Sequence, residues 1–183
     1  MTLIKQNIFV FLLLILSYLL VDGIGHLDFS IGNFLFLPLG ATLYAYLFFS
    51  NRVLPAVILA NCIVGYFLWD NWFEQGYNGF LGHVGVGSLV PMLSIYIGKS
   101  LRQLDAGTHQ DITPLHVVFL LSILTAIFNT LGKFFVFMGN PNISIEPTLF
   151  LGSYMLGDIL GCIVFMFLAQ RFLSPWLSSS QLR

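Results

Sequence analysis

Long apolar stretches alternate with short polar connections along the whole chain. Six stretches approach the ~20 mainly apolar residues with which a helix crosses a bilayer, and they run over residues 6–21, 33–50, 54–69, 79–98, 114–138 and 148–169. The longest connection, Lys99–Thr113, is too short for a soluble domain. The pattern predicts an all-α fold: a polytopic bundle of six transmembrane helices that forms a single membrane domain over residues 1–183.

The composition narrows the classes of function. The sequence is 57% hydrophobic and 8% charged, whereas soluble domains carry about 25% charged residues. We therefore expect membrane lipid around the chain. A net charge of −1 without clustered Lys and Arg argues against a nucleic-acid partner. The sequence shows no catalytic set, no phosphate-binding loop and no metal-binding cluster, so we expect no enzyme activity, no metal and no other cofactor.

The basic residues predict the orientation in the membrane. Six of the seven fall on one side of the predicted helices, and they are Lys5, Arg52, Lys99, Arg102, Arg171 and Arg183. The opposite connections carry no Lys or Arg, and their acidic residues are Asp22, Asp28, Asp70, Glu74 and Glu146. Lys and Arg near the ends of spans are enriched on the cytoplasmic side, so both termini are predicted to be cytoplasmic. No cleavage site follows the first stretch, which we interpret as a retained signal anchor.

Five strongly polar residues fall at depth within the predicted spans, away from the span ends, and they are Asn61, His83, Asn129, Lys133 and Asp158. At a rise of about 1.5 Å per residue, the two asparagines and Asp158 lie roughly 13–15 Å below the outer boundary, and the other two roughly 6–8 Å below it. Side chains lean toward the N-terminus of their helix, so Lys133 and Asp158 lean toward each other from antiparallel helices. We expect them to pair, directly or through water, in a polar pocket that opens outward and is roofed by His83.

Other arrangements of these groups are consistent with the sequence. Lys133 can extend toward the interface and meet Glu146, and Asp158 can be a protonated acid bonded to Asn61. An intramembrane ionisable residue is by default a hypothesis of function. An ion pair that only holds the last two helices together remains the main alternative.

Glycines are concentrated at two places where helices are expected to pack. Gly157 and Gly161 flank Asp158 with the GxxxG spacing, and Gly82 and Gly85 belong to the stretch "NGFLGHVGVGSLVP". Glycine allows two membrane helices to approach closely. The same stretch, which ends at Pro91, also permits a broken segment that lines a cavity.

Three segments resemble a known family. Residues Phe36–Trp69, "FLPLGATLYAYLFFSNRVLPAVILANCIVGYFLW", place a proline and a glycine at a span start, then a short basic turn, a second proline and a mid-span asparagine. Residues Tyr154–Phe172, "YMLGDILGCIVFMFLAQRF", carry Gly-Asp-x-x-Gly, and Ser88–Arg102 is a span that ends in a basic turn. Together they resemble the MASE1 domain, a membrane sensor of bacteria found ahead of histidine kinase and diguanylate cyclase modules. The family's usual tryptophan before the proline is Leu37 here, and the family has more spans and an output domain.

The resemblance implies a function in signal reception at the bacterial inner membrane. We expect a MASE1-like sensory or partner-binding module without its own output domain, which receives a signal or small ligand and passes it to a partner protein or to a second copy of itself. Two other classes remain open. One is the substrate-capture subunit of a small-molecule importer, and the other is an accessory subunit of a larger membrane complex.

Overall fold

Six α-helices make up the part of the chain that the structure, a computed structural model, describes: residues 1–24, 35–68, 72–100, 114–139 and 146–181. They are α1 (Leu3–Ile24), α2 (Leu37–Phe49), α3 (Leu54–Leu68), α4 (Trp72–Ser100), α5 (Leu115–Met138) and α6 (Pro147–Gln181), and a 3-10 turn, Ser50–Val53, joins α2 to α3. Each predicted apolar stretch coincides with one helix, so the all-α prediction is confirmed. Residues 33 and 34 of the second stretch and residue 69 of the third lie outside the described residues.

Five helical stretches of the described chain are long and apolar enough to cross a membrane, and they are Leu3–Gly23, Leu37–Phe67, Gly76–Ser100, Leu115–Met138 and Pro147–Leu173. The second stretch contains α2, the turn and α3. At about 1.5 Å per residue, α2 is about 20 Å long and α3 about 22 Å, against a hydrocarbon core of about 30 Å. The helix content is that of a multi-pass membrane protein, and α2 and α3 are each shorter than one full crossing.

Asn7 of α1 holds the turn between α2 and α3. Its Nδ2 donates to the Arg52 carbonyl oxygen over 3.1 Å, and its Oδ1 accepts from the Ala56 N–H over 3.3 Å. Ser50 begins the turn with φ of 59°, a left-handed conformation that is uncommon for residues other than glycine. The chain changes direction at this point.

The contacts of α1 establish that this change is a reversal. Phe9 packs edge-on against Phe49 at the end of α2, with ring centroids 5.9 Å apart. Farther along α1, Tyr18 packs against Phe36, which precedes α2, at 5.8 Å, and its hydroxyl donates to Asn61 in the middle of α3. Together with the contacts at the turn, these contacts show that α1 is antiparallel to α2 and parallel to α3. α2 and α3 therefore run in opposite directions.

The central helix of the bundle is α2. It contacts α1, α4, α5 and α6, and its side chains from Leu37 to Tyr46 are all buried. The other helices neighbour one another in the order α1, α3, α4, α5 and α6 around it. A helix that is apolar on all sides is suited to such a surrounded position.

Glycines allow α2 and α6 to approach closely where they cross. The Phe36 N–H donates to the Gly157 carbonyl oxygen over 3.1 Å. A Cβ atom on Gly161 would overlap the backbone of Phe36, and one on Gly40 would lie 2.9 Å from the Gly161 carbonyl oxygen. The Gly-Asp-x-x-Gly segment therefore lies at a helix crossing, as small residues commonly do in membrane bundles.

Gly82 and Gly85 of α4 have different surroundings. A Cβ atom on Gly82 would lie 2.8 Å from a methyl group of Val136 in α5. In the same way, Val86 of α4 packs closely against Gly132 of α5. A Cβ atom on Gly85 would meet no atom within 4 Å. Gly85 faces open space, and no helix of the described bundle packs against it, so its role in helix packing stays a prediction.

Candidate functional site

Asp158 is buried in α6, with 1% of its surface exposed. Its Oδ2 accepts a hydrogen bond from Asn129 Nδ2 over 2.7 Å and a longer one from Thr130 Oγ1 over 3.4 Å. Both donors belong to α5. The carboxyl group thus joins α5 to α6, and the alternative in which it bonds to Asn61 is not the observed arrangement.

Lys133 is also buried, with 3% of its surface exposed. Its Nζ lies 4.6 Å from the centroid of the Phe36 ring and 5.4 Å from that of Tyr154, and such contacts of an ammonium with aromatic faces are attractive. Among the described residues, Lys133 and Asp158 form no direct ion pair. Lys133 also does not extend to Glu146, which instead accepts from the N–H groups of Leu149 and its neighbour at the start of α6.

The register of α5 against α6 explains the separation of the two charges. Asn129 bonds to Asp158, and Phe137 packs on Phe150 with ring centroids 5.3 Å apart. Lys133 lies midway between Asn129 and Phe137 on α5, and Tyr154 lies midway between Phe150 and Asp158 on α6. Lys133 is therefore opposite Tyr154. Lys133 therefore lies about one helical turn, or about 6 Å along the axis, from the level of Asp158.

A second buried polar group joins four helices around Asn61 of α3. Asn61 Oδ1 accepts from the Tyr18 hydroxyl of α1 over 2.8 Å, and its Nδ2 donates to Ser88 Oγ of α4 over 2.9 Å. The carbonyl oxygen of Ser88 accepts from the Tyr46 hydroxyl of α2 over 2.9 Å. The hydrogen bonds of Asn61 are therefore used to hold helices together.

His83 lies next to a buried aromatic cluster. Its side chain is 3% exposed, and its ring packs edge-on against Phe137 with centroids 4.6 Å apart. Phe137, Phe150 and Tyr154 form one buried cluster. His83 thus packs among side chains of the bundle, in a position where burial is almost complete.

A small cavity lies between the two polar groups. Its lining includes Asn61, His83, Asn129 and Lys133. Asp158 is bonded to Asn129 but is not part of the lining. The space open to the centre of a water-sized sphere is about 10 Å³, and a cavity holds one water when this space reaches roughly 10–15 Å³. The cavity therefore has room for about one water molecule and no room for an organic ligand.

Three buried oxygens on one face of α5 have no hydrogen-bond partner in the described part of the chain. They belong to Ser122, Thr125 and Asn129, all of which are fully buried. The buried hydroxyl groups of Ser17 and Thr42, in other helices, donate to carbonyl oxygens of their own helix, those of Leu14 and Pro38. Unsatisfied buried oxygens are uncommon, and each calls for an explanation such as an ordered water.

Sequence reasoning missed several members of this site. Thr130 and Tyr18 are hydrogen-bonding partners in it, and the rings of Phe36 and Tyr154 contact the ammonium. Their positions in the sequence could have indicated two of them, because Thr130 follows Asn129 and Tyr154 lies one helical turn from Asp158. Within the described residues, no group of three His, Cys, Asp or Glu side chains is placed to hold a metal ion.

Comparison of the chain with known protein families, with curated proteins and with solved structures finds no match in any of the three. The resemblance to MASE1 therefore depends on the quoted segments alone.

Proposed function

We propose that this chain is a polytopic protein of the bacterial inner membrane that receives a signal within its helix bundle and passes it to a partner protein. The observation that carries the proposal is the pair of buried ionisable side chains, Lys133 and Asp158, which are 3% and 1% exposed. A charged side chain at the centre of a membrane helix costs ~2.5–3.5 kcal/mol on insertion scales, and such residues usually mark function.

The position of the pair supports a role in signalling. Asp158 joins α5 to α6, and the neighbouring Gly157 carbonyl oxygen holds the Phe36 N–H just before α2. Phe36 also carries the Lys133 ammonium on its ring. A change of charge or hydration at the pair would therefore act on the start of α2, and α2 contacts four of the other helices. This gives the central helix a means of transmitting a local change to the outside of the bundle.

The resemblance to MASE1 supports the assignment to a sensory class, and the small cavity beside Lys133 adds no support for substrate capture. An importer subunit must enclose an organic molecule, whereas this cavity has room for about one water. We therefore prefer a sensory or partner-binding module to an importer subunit as the function of this chain.

The proposal includes six membrane-crossing segments with both termini in the cytoplasm. The reversal of direction between α2 and α3 and the distribution of Lys and Arg along the sequence support it. A C-terminal reporter that is active only in the cytoplasm is expected to be active. Activity of a reporter that functions only outside the cytoplasm would contradict this topology.

The partner is expected to contact α1. One face of this helix carries Ile8, Leu12, Leu16 and Leu19, each about half exposed or more. In the bundle α1 lies at one end of the arc of helices around α2. Its free face is available to lipid, to a membrane partner or to a second copy of the chain.

Photo-crosslinking in membranes of the native host tests the proposal. A photoreactive residue is placed at Leu12 of α1, and a control is placed at Phe135 of α5, which is 69% exposed. We expect a discrete protein adduct from the α1 position, with a yield that changes in Asp158→Asn. Adducts to lipid only, or a yield that Asp158→Asn leaves unchanged, would contradict the proposal.

A further inference from the structure

Two exposed basic side chains flank a hydrogen bond at one end of the bundle. Arg52 belongs to the turn between α2 and α3, and Lys99 belongs to the last turn of α4. Asn51 Nδ2 donates to the Tyr96 hydroxyl oxygen, which bonds the turn to α4. Tyr96 and Lys99 are three residues apart and are therefore neighbours on that helix. The fold thus brings a guanidinium, an ammonium and a tyrosine hydroxyl to one basic rim, formed by Arg52, Tyr96 and Lys99.

The charges of the basic rim are not neutralised by any carboxylate that the structure describes. The acidic residues with described side chains are Asp22, Glu146 and Asp158. Asp22 lies near the end of α1, whereas the turn is bonded to Asn7 near its start. Glu146 accepts from N–H groups at the start of α6, and Asp158 bonds to α5. Within the described residues, the basic rim is therefore complementary to an anion.

The turn that carries Arg52 is held in an unusual conformation. Ser50 has φ of 59° and ψ of −162°, a region that is essentially restricted to glycine. Asn7 holds the turn from α1 through the Arg52 carbonyl oxygen, and the bond from Asn51 to Tyr96 holds it from α4. Strained backbone persists where the surroundings enforce it, and it is concentrated at functional sites. The fold therefore fixes the backbone of Arg52 beside the end of α4.

An exposed apolar stripe of α4 leads away from the basic rim toward the middle of the helix. Leu93 and Leu89 lie three and seven residues before Tyr96, which is the spacing of one helix face. The three side chains are 48, 47 and 49% exposed, respectively. In a bilayer such a face contacts acyl chains, and tyrosine is enriched at the level of the lipid headgroups. A molecule with an anionic group and an acyl chain therefore matches both parts of this surface.

We propose that the basic rim binds the phosphate of an anionic phospholipid, whose acyl chain lies along the apolar stripe of α4. The Arg52 guanidinium has two parallel N–H donors for phosphate oxygens, and the Lys99 ammonium adds a point charge. The Tyr96 oxygen already accepts from Asn51, so its own proton is available to donate to the phosphate. Clustered basic groups at a membrane surface attract lipids of net negative charge. This inference goes beyond the proposed signalling function and does not depend on it.

Native mass spectrometry of the protein released from mixed micelles tests the lipid site. The micelles contain equal amounts of phosphatidylglycerol and phosphatidylcholine with the same acyl chains, so the two lipids differ only in the headgroup. We expect the wild type to retain phosphatidylglycerol in preference to phosphatidylcholine. Arg52→Gln and Lys99→Gln are each expected to lower the ratio of the two adducts about fivefold, the contribution of one basic residue near an anionic headgroup.

Arg171→Gln is the matched control, because Arg171 is basic, exposed and at the same end of the bundle. The Phe36 N–H bonds to Gly157, and Tyr44 packs against Phe165, so α2 and α6 are parallel. Arg171 therefore lies near the level of the turn that follows α2, and its substitution changes the net charge equally. We expect the control to keep the wild-type ratio of adducts. A wild type without lipid preference, a ratio that Arg52→Gln leaves unchanged, or an equal loss in the control would overturn the proposal.

Melting temperatures distinguish a lipid from phosphate alone, because a ligand that binds only the folded state stabilises it. Replacing part of the phosphatidylcholine in nanodiscs with phosphatidylglycerol is expected to raise the melting temperature of the wild type. The same replacement is expected to have no effect on the double variant Arg52→Gln with Lys99→Gln. Inorganic phosphate is expected to raise neither. An equal rise in the double variant, or a rise with inorganic phosphate alone, would refute the lipid site. Tyr96→Phe keeps both charges and is expected to show a smaller rise than the wild type, and an undiminished rise would exclude the hydroxyl from the site.

Discussion

Removing one charge of the buried pair is expected to destabilise the protein, and removing both is expected to restore its stability. Asp158→Asn keeps an oxygen that accepts from Asn129 and Thr130, so it removes the charge while the two observed hydrogen bonds remain. It leaves the Lys133 ammonium buried without its counter-charge. Breaking a buried pair in this way costs about 3–5 kcal/mol, and the separation of about one turn favours the lower value.

Lys133→Met leaves the opposite charge uncompensated and is expected to cost a similar amount. The double variant Asp158→Asn with Lys133→Met has no buried charge and retains both hydrogen bonds to Asn129 and Thr130. We expect its stability to lie within about 1 kcal/mol of the wild type, because neutral groups of similar size often replace a buried ion pair without loss.

Thermal melts of all four proteins in the same nanodiscs measure these differences. A loss of about 3 kcal/mol corresponds to a decrease of roughly 6–12 °C in melting temperature for a chain of this length. Asp22→Asn is the control, because Asp22 is only partly buried near the end of α1 and such changes usually stay within about 0.5 kcal/mol. The reasoning is refuted if Asp158→Asn melts like the control, or if the double variant is no more stable than the weaker single variant.

Two further predictions concern the packing and hydrogen bonds that position the site. Gly161→Ala is expected to lose about 1–3 kcal/mol of stability through overpacking, because its Cβ atom would overlap the Phe36 backbone. Gly152→Ala is the control, because a Cβ atom on Gly152 has open space. Equal melting temperatures of the two variants would contradict this prediction. Tyr18→Phe removes the donor to Asn61 Oδ1 and is expected to cost about 1–3 kcal/mol, and a melt within error of the wild type would show that this bond contributes nothing.

The positions of the helices could be predicted from the sequence because crossing a bilayer requires a long apolar stretch. The same regularity predicted that Asn129 and Asp158 lie at one level and Lys133 about one turn away, since each residue adds about 1.5 Å along a helix. Depth does not determine how a helix is rotated about its own axis. α2 is apolar on all sides, so its sequence could not show that Phe36, just before its first residue, would contact the Lys133 ammonium.

The finer features of the site depend on side-chain packing and on competing local interactions. Glu146 bonds to the first N–H groups of α6, where a helix leaves backbone donors unsatisfied, and this removes it as a partner for Lys133. Gly85 has the spacing of a packing residue, yet its face of α4 meets open space. The size of the cavity could not be predicted either, because it depends on how side chains from several helices fill the same volume.

The most direct test of the account compares the crosslink from Leu12 in the wild type with that in the double variant Asp158→Asn with Lys133→Met. The double variant is expected to be folded, so a change in crosslinking reports on the charges themselves and not on lost stability. The account predicts that the double variant keeps its melting temperature and changes the yield of the protein adduct at α1. A double variant that is stable and crosslinks like the wild type would contradict it, and the pair would then serve only to hold α5 and α6 together.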